Sequence, residues 1–335
     1  MSAIWTGIIT PKGKKDYVVT TGKITSLSLD QFKRMFKSRE YDKRALKFDS
    51  QSCENVFSEV VPVPCGRCIG CRLDYSRAWA VRCLLESQYH DNNQFITLTY
   101  DDNHLPSDNS VHKRDLQLFF KRIRKYMKSY YNIDNIKYYS CGEYGDKSMR
   151  PHYHVIFFGL PLFDKKFLSC SRGVNLYTSD IVSKCWPFGI HSVGDVNYET
   201  AAYTARYVMK KRKGIYASWY ADHNLEPEFV LMSRRPGIGL QYYLDNRDMI
   251  YSTDEIIYLN SDKQVLSIKP CSYYDKKYDL DDPDRLAKLK ESRTERAVLH
   301  RENVLKYNNF PDDESYLSHE EKLKSESCKI LRRNL

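Results

Sequence analysis

The chain has 335 residues, 41% of them hydrophobic and 29% charged, which is enough apolar material for one large folded domain with an appendage. Lysine and arginine outnumber aspartate and glutamate by ten, a balance that suits a polyanionic partner. No run approaches 18 consecutive apolar residues, which excludes a membrane-spanning helix, and the start of the chain meets Pro11 and three lysines before any long apolar stretch, unlike a secretory leader.

Residues 1–60 are polar and weakly patterned and read as an N-terminal extension with short strands. Leu73 to Tyr89 reads as a helix with Trp79, Val81, Leu84 and Leu85 as its apolar positions. Gln94 to Tyr100 is short and β-rich, a strand ended by Asp101, Asp102 and Asn103. Asp115 to Lys128 has Leu116, Phe119, Phe120, Ile123 and Met127 at helical spacing, while Lys121, Arg122, Arg124, Lys125 and Lys128 make the remaining surface positive. Ile136 to Cys141 and His152 to Phe158 are two further strands, and the loop from Gly142 to Pro151 is long enough to join them as a hairpin. Asn197 is a predicted N-cap for a helix reaching about Arg212, with Gly214 as its stop. From Tyr274 to Leu335 the chain is densely charged, a helical or partly disordered tail. The expected organisation is an extension over 1–60, a catalytic domain over 61–240 and a charged, partly helical region over 241–335.

The sharpest chemical signal is Pro151-His152-Tyr153-His154-Val155-Ile156-Phe157-Phe158. Residues two apart on a strand share a face, so His152 and His154 project together, a suitable spacing for two imidazoles on one metal ion. Tyr153, Val155 and Phe157 face the other side, and a strand apolar on both faces is an interior strand. If the hairpin forms, Glu143 lies beside the histidines and supplies a hard oxygen ligand, leaving positions open for a substrate oxygen. The plainer reading is two surface histidines and an unrelated glutamate.

The second signal is Tyr203-Thr204-Ala205-Arg206-Tyr207-Val208-Met209-Lys210-Lys211. Tyr203 and Tyr207, four apart, are neighbours on one helix face, which Lys210 and Lys211 continue. Ala201, Ala205 and Val208 form a small-residue stripe for close packing on a sheet. A phenol is a weak nucleophile near its normal pKa of about 10. A divalent cation on a scissile phosphate and nearby lysines would help it by polarising phosphorus and neutralising charge. An ordinary amphipathic helix with packed tyrosines is the alternative, since the chain holds 27 tyrosines.

Cys65, Cys68 and Cys71 form a C-x2-C-x2-C run, with Cys53 and Cys83 as candidate fourth ligands. In a reducing compartment such a run points to a structural metal, with Zn2+ as first candidate, an iron–sulfur cluster as another, and a turn of packed thiols as the metal-free reading.

An apolar strand, a His-x-His strand and a tyrosine helix in this order resemble the HUH endonuclease superfamily, with Phe95 to Tyr100, Pro151 to His154 and Tyr203 to Lys211 as its three motifs. The paired tyrosines resemble the replication initiators of microviruses. The Val63 to Arg72 run looks most like the replication-associated proteins of gokushoviruses, and the resemblance covers roughly residues 60–240. Tyr153 departs from it, standing where the superfamily has an aliphatic residue. The resemblance implies an α+β fold, a central antiparallel sheet flanked by helices, with Mg2+ or Mn2+ as cofactor. It implies nicking at a viral origin, single-stranded or supercoiled duplex, through a 5′-phosphotyrosine, and later rejoining of the displaced strand into a circle. Host helicase and polymerase are the expected partners, with no membrane, in the host bacterial cytoplasm. A non-catalytic origin-binding protein of the same fold is the competing function, and a metallohydrolase without a covalent tyrosine is a third.

Overall fold

A computed structural model describes residues 6–11, 18–21, 57–63, 69–145, 148–171, 174–206, 218–259, 265–311 and 313–333. The chain divides into two compact units, residues 1–72 with 297–335, and residues 73–296. The first unit contains a three-stranded antiparallel sheet of β1 (Thr6–Pro11), β2 (Val18–Thr21) and β3 (Phe57–Val63), in the order β2-β1-β3. These are the short strands expected of the extension.

The second unit is built on a seven-stranded sheet. Its strands are β4 (Asn93–Tyr100), β5 (Lys137–Tyr144), β6 (Pro151–Phe158), β7 (Lys166–Ser171), β8 (Val174–Thr178), β9 (Gly189–Gly194) and β10 (Phe229–Met232). Their order is β10-β5-β6-β4-β9-β8-β7, and every pairing is antiparallel. β6 is therefore interior, paired with β5 on one side and β4 on the other. A small sheet of β11 (Ile256–Leu259) and β12 (Val265–Ile268) lies later in the chain.

Side-chain alternation sends the two faces of the large sheet into different cores. On one face Ile96, Leu98, Tyr153, Val155 and Phe157 meet helix α2 (Lys113–Tyr131), whose Leu116, Phe119, Phe120, Ile123 and Met127 are buried. That helix stops where Asn132 takes left-handed backbone angles (φ 55°, ψ 33°), and the amides of Asn132 and Ile133 close on the last carbonyls. On the other face Ile156 and Phe158 meet helix α1 (Ile69–Ser87) through Trp79, Ala80 and Cys83. The short helix α3 (Asp180–Cys185) is capped by the Ser179 hydroxyl, which accepts from the Val182 amide. Helix α4 (Tyr198–Arg206) joins the second core by Ala201 and Ala205.

Beyond α5 (Ser218–Asp222), helices α6 (Leu240–Thr253), α7 (Ser272–Asp281), α8 (Pro283–Tyr307) and α9 (Asp313–Arg333) complete the described chain. The charged region is helical. Its first part also carries core residues, with Tyr274, Tyr278 and Leu286 buried against Val81, Leu85, Tyr243 and Tyr251. Among the described residues no helix is long and apolar enough to cross a membrane.

Candidate metal and nucleophile site

Three strands converge in register at the histidines. Across the β5–β6 pair His154 faces Cys141 and His152 faces Glu143, and across β4–β6 His154 faces Thr97 and His152 faces Thr99. The hairpin joining β5 to β6 is closed by the Gly145 amide on the Arg150 carbonyl and the Met149 amide on the Gly145 carbonyl. The Glu143 carboxylate reaches one position diagonally, so that Oε1 lies 2.9 Å from His154 Nε2. Both side chains are buried, Glu143 2% and His154 5% exposed. Two glycines make room here. A Cβ on Gly142 would sit 2.8 Å from the Phe229 ring, and one on Gly145 would sit 2.9 Å from His152 Nε2.

The neighbouring strand β4 orients both imidazoles. Thr97 Oγ1 is 3.0 Å from His154 Nδ1, and Thr99 Oγ1 is 3.0 Å from His152 Nδ1. A hydroxyl can donate or accept. Each threonine can thus accept from a protonated Nδ1, which leaves the Nε2 lone pair for a metal ion. Sequence reasoning gave these threonines no role, although their own two-residue spacing places them on the histidine face.

The tyrosine helix lies over the same place. Its start is a reciprocal cap: the Asn197 side chain accepts from the Thr200 amide at 2.8 Å, and the Thr200 hydroxyl accepts from the Asn197 amide at 2.9 Å. Ala201 and Ala205 are fully buried against the sheet. Such small residues let the helix backbone approach, and Tyr203 stands edge-on above His154 with ring centroids 5.1 Å apart. Phe95 completes the cluster, parallel to the His154 ring at 5.7 Å and edge-on to Tyr203 at 6.2 Å.

The structure thus brings together Glu143, His152, His154 and Tyr203. Tyr207, Lys210 and Lys211 lie outside the described residues, as do Cys53, Cys65 and Cys68. Cys71 is half-buried in the first turn of α1, and Cys83 is buried in the core. Twelve residues of helix separate those two thiols by about 18 Å, so Cys83 is not a fourth ligand beside Cys71. Burial also pushes the Cys83 thiol well above its ordinary pKa, which disfavours the thiolate a metal needs.

Among the described residues no three His, Cys, Asp or Glu side chains are gathered as they stand to hold a metal ion. The donor chemistry nevertheless fits a divalent ion: two imidazoles with Nδ1 tied to hydroxyls and one buried carboxylate. The His154–Glu143 pair is already formed, while His152 presents its Nε2 beside Gly145.

The comparisons with known proteins agree with this α+β architecture. Residues 93–212, which span β4 to the tyrosine helix, match the model of the replication-associated protein ORF2 family. The chain is 36% identical over 284 residues to the replication-associated protein ORF2 of Spiroplasma virus 4, covering 82% of this chain and 85% of that one. It is 33% identical over 226 residues to the replication-associated protein VP4 of Bdellovibrio phage phiMH2K, covering 66% and 69%. It is 34% identical over 170 residues to the replication-associated protein ORF4 of Chlamydia phage 1, covering 49% and 42%. The chain therefore belongs to the replication-associated proteins of the Microviridae. No solved structure gives a significant match.

Proposed function

We propose that this chain starts rolling-circle replication by nicking a single strand of viral origin DNA through a tyrosine, and later rejoins the displaced strand into a circle. The observation that carries the reading is the stacking of Tyr203 over the His154–Glu143 pair, with both histidines oriented by Thr97 and Thr99. The relatives' names, all replication-associated proteins of phages, point the same way.

His152, His154 and Glu143 would hold Mg2+ or Mn2+, which supplies positive charge to the phosphate oxygens and is worth several kcal/mol of transition-state stabilisation. The phenol oxygen attacks phosphorus and loses its proton. The bond from phosphorus to the 3′ oxygen breaks, and that oxygen takes up a proton as a free 3′-hydroxyl for host polymerase to extend. The 5′ phosphate stays on tyrosine, so the phosphodiester energy is kept for rejoining. Tyr203 and Tyr207 act in turn, one holding the first 5′ end while the other cuts the regenerated origin. Lys210 and Lys211 neutralise the charge that develops. Origin DNA and the host helicase and polymerase are the partners, in the host bacterial cytoplasm. The segment with Cys65, Cys68 and Cys71 is a separate structural element, with Zn2+ as its first candidate ligand.

The test is incubation with a single-stranded origin oligonucleotide and Mn2+, a denaturing gel, and mass spectrometry of the adduct. The wild-type protein is expected to shift covalently, with DNA on Tyr203 and on Tyr207. The double variant Tyr203→Phe, Tyr207→Phe is expected to form no adduct. DNA on one tyrosine alone, with the other replaceable by Phe at no loss of circular product, would replace alternation by a single-tyrosine mechanism. No adduct from wild-type protein that still binds the oligonucleotide would leave a non-catalytic origin-binding protein.

A further inference from the structure

Helix α2 packs on the face of the sheet opposite the histidines, and its outer surface carries a second cluster of aromatic and basic residues. Tyr126 lies 4.5 Å from Tyr130 and 6.4 Å from Tyr131, and Tyr131 lies 5.1 Å from Phe163, in the connection between β6 and β7. These rings are not core residues: Tyr130 is 71% exposed, Phe163 67% and Tyr131 42%. Adjacent exposed aromatic rings at a surface mark a binding site more often than a packing accident.

The charges around them have one sign. Lys121, Lys125, Lys165 and Lys184 are exposed, and none forms an ion pair with a carboxylate among the described residues. The Lys184 ammonium sits 5.9 Å from the Tyr126 ring. The nearby acids are engaged elsewhere. Asp134 pairs with Lys128 at 2.6 Å and Asp180 with Lys166 at 2.7 Å. Asp164 accepts from the Ser179 hydroxyl and the Ile181 amide at the start of α3.

From this arrangement we infer that the back of the sheet is a second, non-catalytic binding surface for single-stranded DNA. Unpaired bases stack on Tyr126, Tyr130, Tyr131 and Phe163, and phosphates lie against Lys121, Lys125, Lys165 and Lys184. Sequence-tolerant binding of unpaired strands needs this pairing of ring faces with cations. A duplex hides its base faces and would leave the exposed rings without a role. The inference rests on the reading that this chain acts on DNA. It adds that a strand released at the tyrosine face can be held on the other face without competing for the nicking site.

The test uses full-length protein in chelator, so that no strand is cut, and measures fluorescence anisotropy with labelled oligo-dT and with a duplex of equal length. The variant Tyr130→Ala, Phe163→Ala is expected to weaken oligo-dT binding at least tenfold, with little change for the duplex. The variant Lys121→Gln, Lys125→Gln is expected to reduce the salt slope of oligo-dT binding by about 1.4, from about 0.7 per phosphate contact on a single strand. Nicking of a short origin oligonucleotide in Mn2+ is expected to stay at the wild-type rate in both variants. A second measurement needs no variant: oligonucleotides carrying 5-iododeoxyuridine are expected to crosslink to peptides containing 126–131 or 163. Oligo-dT binding unchanged in the aromatic variant, or crosslinks confined to other peptides, would overturn the inference. Equal weakening of duplex and oligo-dT would refute base stacking and leave a backbone-binding surface. Loss of nicking in wild-type protein with oligo-dT binding intact would strike the proposed function and not this surface.

Discussion

Removing the Thr97 and Thr99 hydroxyls while keeping the side-chain shape isolates what β4 does for the histidines. Valine matches threonine in volume but offers no hydrogen bond. Each substitution therefore removes one 3.0 Å contact to an Nδ1, at His154 and at His152 respectively. An imidazole without that partner is free to turn and to take the wrong tautomer. Loss of such an outer partner costs about 10–100-fold in metal affinity, which is about 1.4–2.8 kcal/mol. In a nicking assay on an origin oligonucleotide, the Mn2+ concentration giving half-maximal rate is expected to rise at least tenfold in Thr97→Val and in Thr99→Val. Saturating Mn2+ should restore most of the rate, because the ligands themselves remain. Thr97→Ser keeps the hydroxyl and should stay near the wild-type midpoint. If both valine variants show the wild-type Mn2+ midpoint, the threonines do not orient metal ligands and the metal assignment of His152 and His154 loses its structural support.

Two further predictions concern the frame around the site. Glu86 is 1% exposed and accepts from Lys137 at 2.7 Å, from the Gly239 amide at 2.7 Å, and pairs with His90 at 2.8 Å. Burial alone would raise its pKa, but the hydrogen bonds from His90, Lys137 and Gly239 outweigh it and hold the carboxyl below its ordinary value of 4.5. The stability it contributes is thus complete above about pH 4.5 and lost as pH falls through the lower folded value. Urea unfolding should show this acid loss in wild-type protein and a flatter profile in Glu86→Gln, while Lys137→Met should cost about 3–5 kcal/mol at neutral pH. Tyr153→Phe removes a buried hydroxyl that bonds Tyr100 at 2.8 Å and accepts from the His112 amide at 2.7 Å, and should cost about 1–3 kcal/mol by the same measurement. An unchanged midpoint in Tyr153→Phe would show that water replaces the lost bonds at no cost.

The parts of this fold that repeat on a short period were readable. Alternation in 152–158 fixes which side chains share a face, and the observed cores separate Tyr153, Val155 and Phe157 from Ile156 and Phe158 as that alternation requires. The 115–128 helix was legible for the same reason, since its five buried residues follow helical spacing. Contacts between distant segments were not legible. β10 completes the sheet beside β5 from nearly ninety residues downstream, and nothing local in Phe229–Met232 announces which edge it joins. Glu86 reads as an ordinary helix-surface glutamate until Lys137 and Gly239 are seen to close on it. The charged composition after residue 270 likewise hid Tyr274, Tyr278 and Leu286, because three buried positions are too few to shift an average.

The alternation of β6 also explains how one strand can serve chemistry on one side and rigidity on the other. His152 and His154 point toward the tyrosine helix, and Tyr153 between them points toward α2. Its hydroxyl meets the His112 amide at the start of that helix, and Tyr100, the last residue of β4, donates to Asp115 in the first turn at 2.7 Å. The strands that carry the histidines and their threonine partners are thus pinned from behind by two phenols. This pinning gives Tyr153 a structural reason to differ from an aliphatic residue: an aliphatic side chain would fill the core but could not satisfy the first amide of α2. On the other side, Ala201 and Ala205 keep α4 close to the sheet, so that the tyrosine approaches a histidine whose position is already set. The rigidity lies in the sheet and the freedom in the helix above it. That division is what a site needs if two tyrosines on one helix are to use the same fixed ligands in succession.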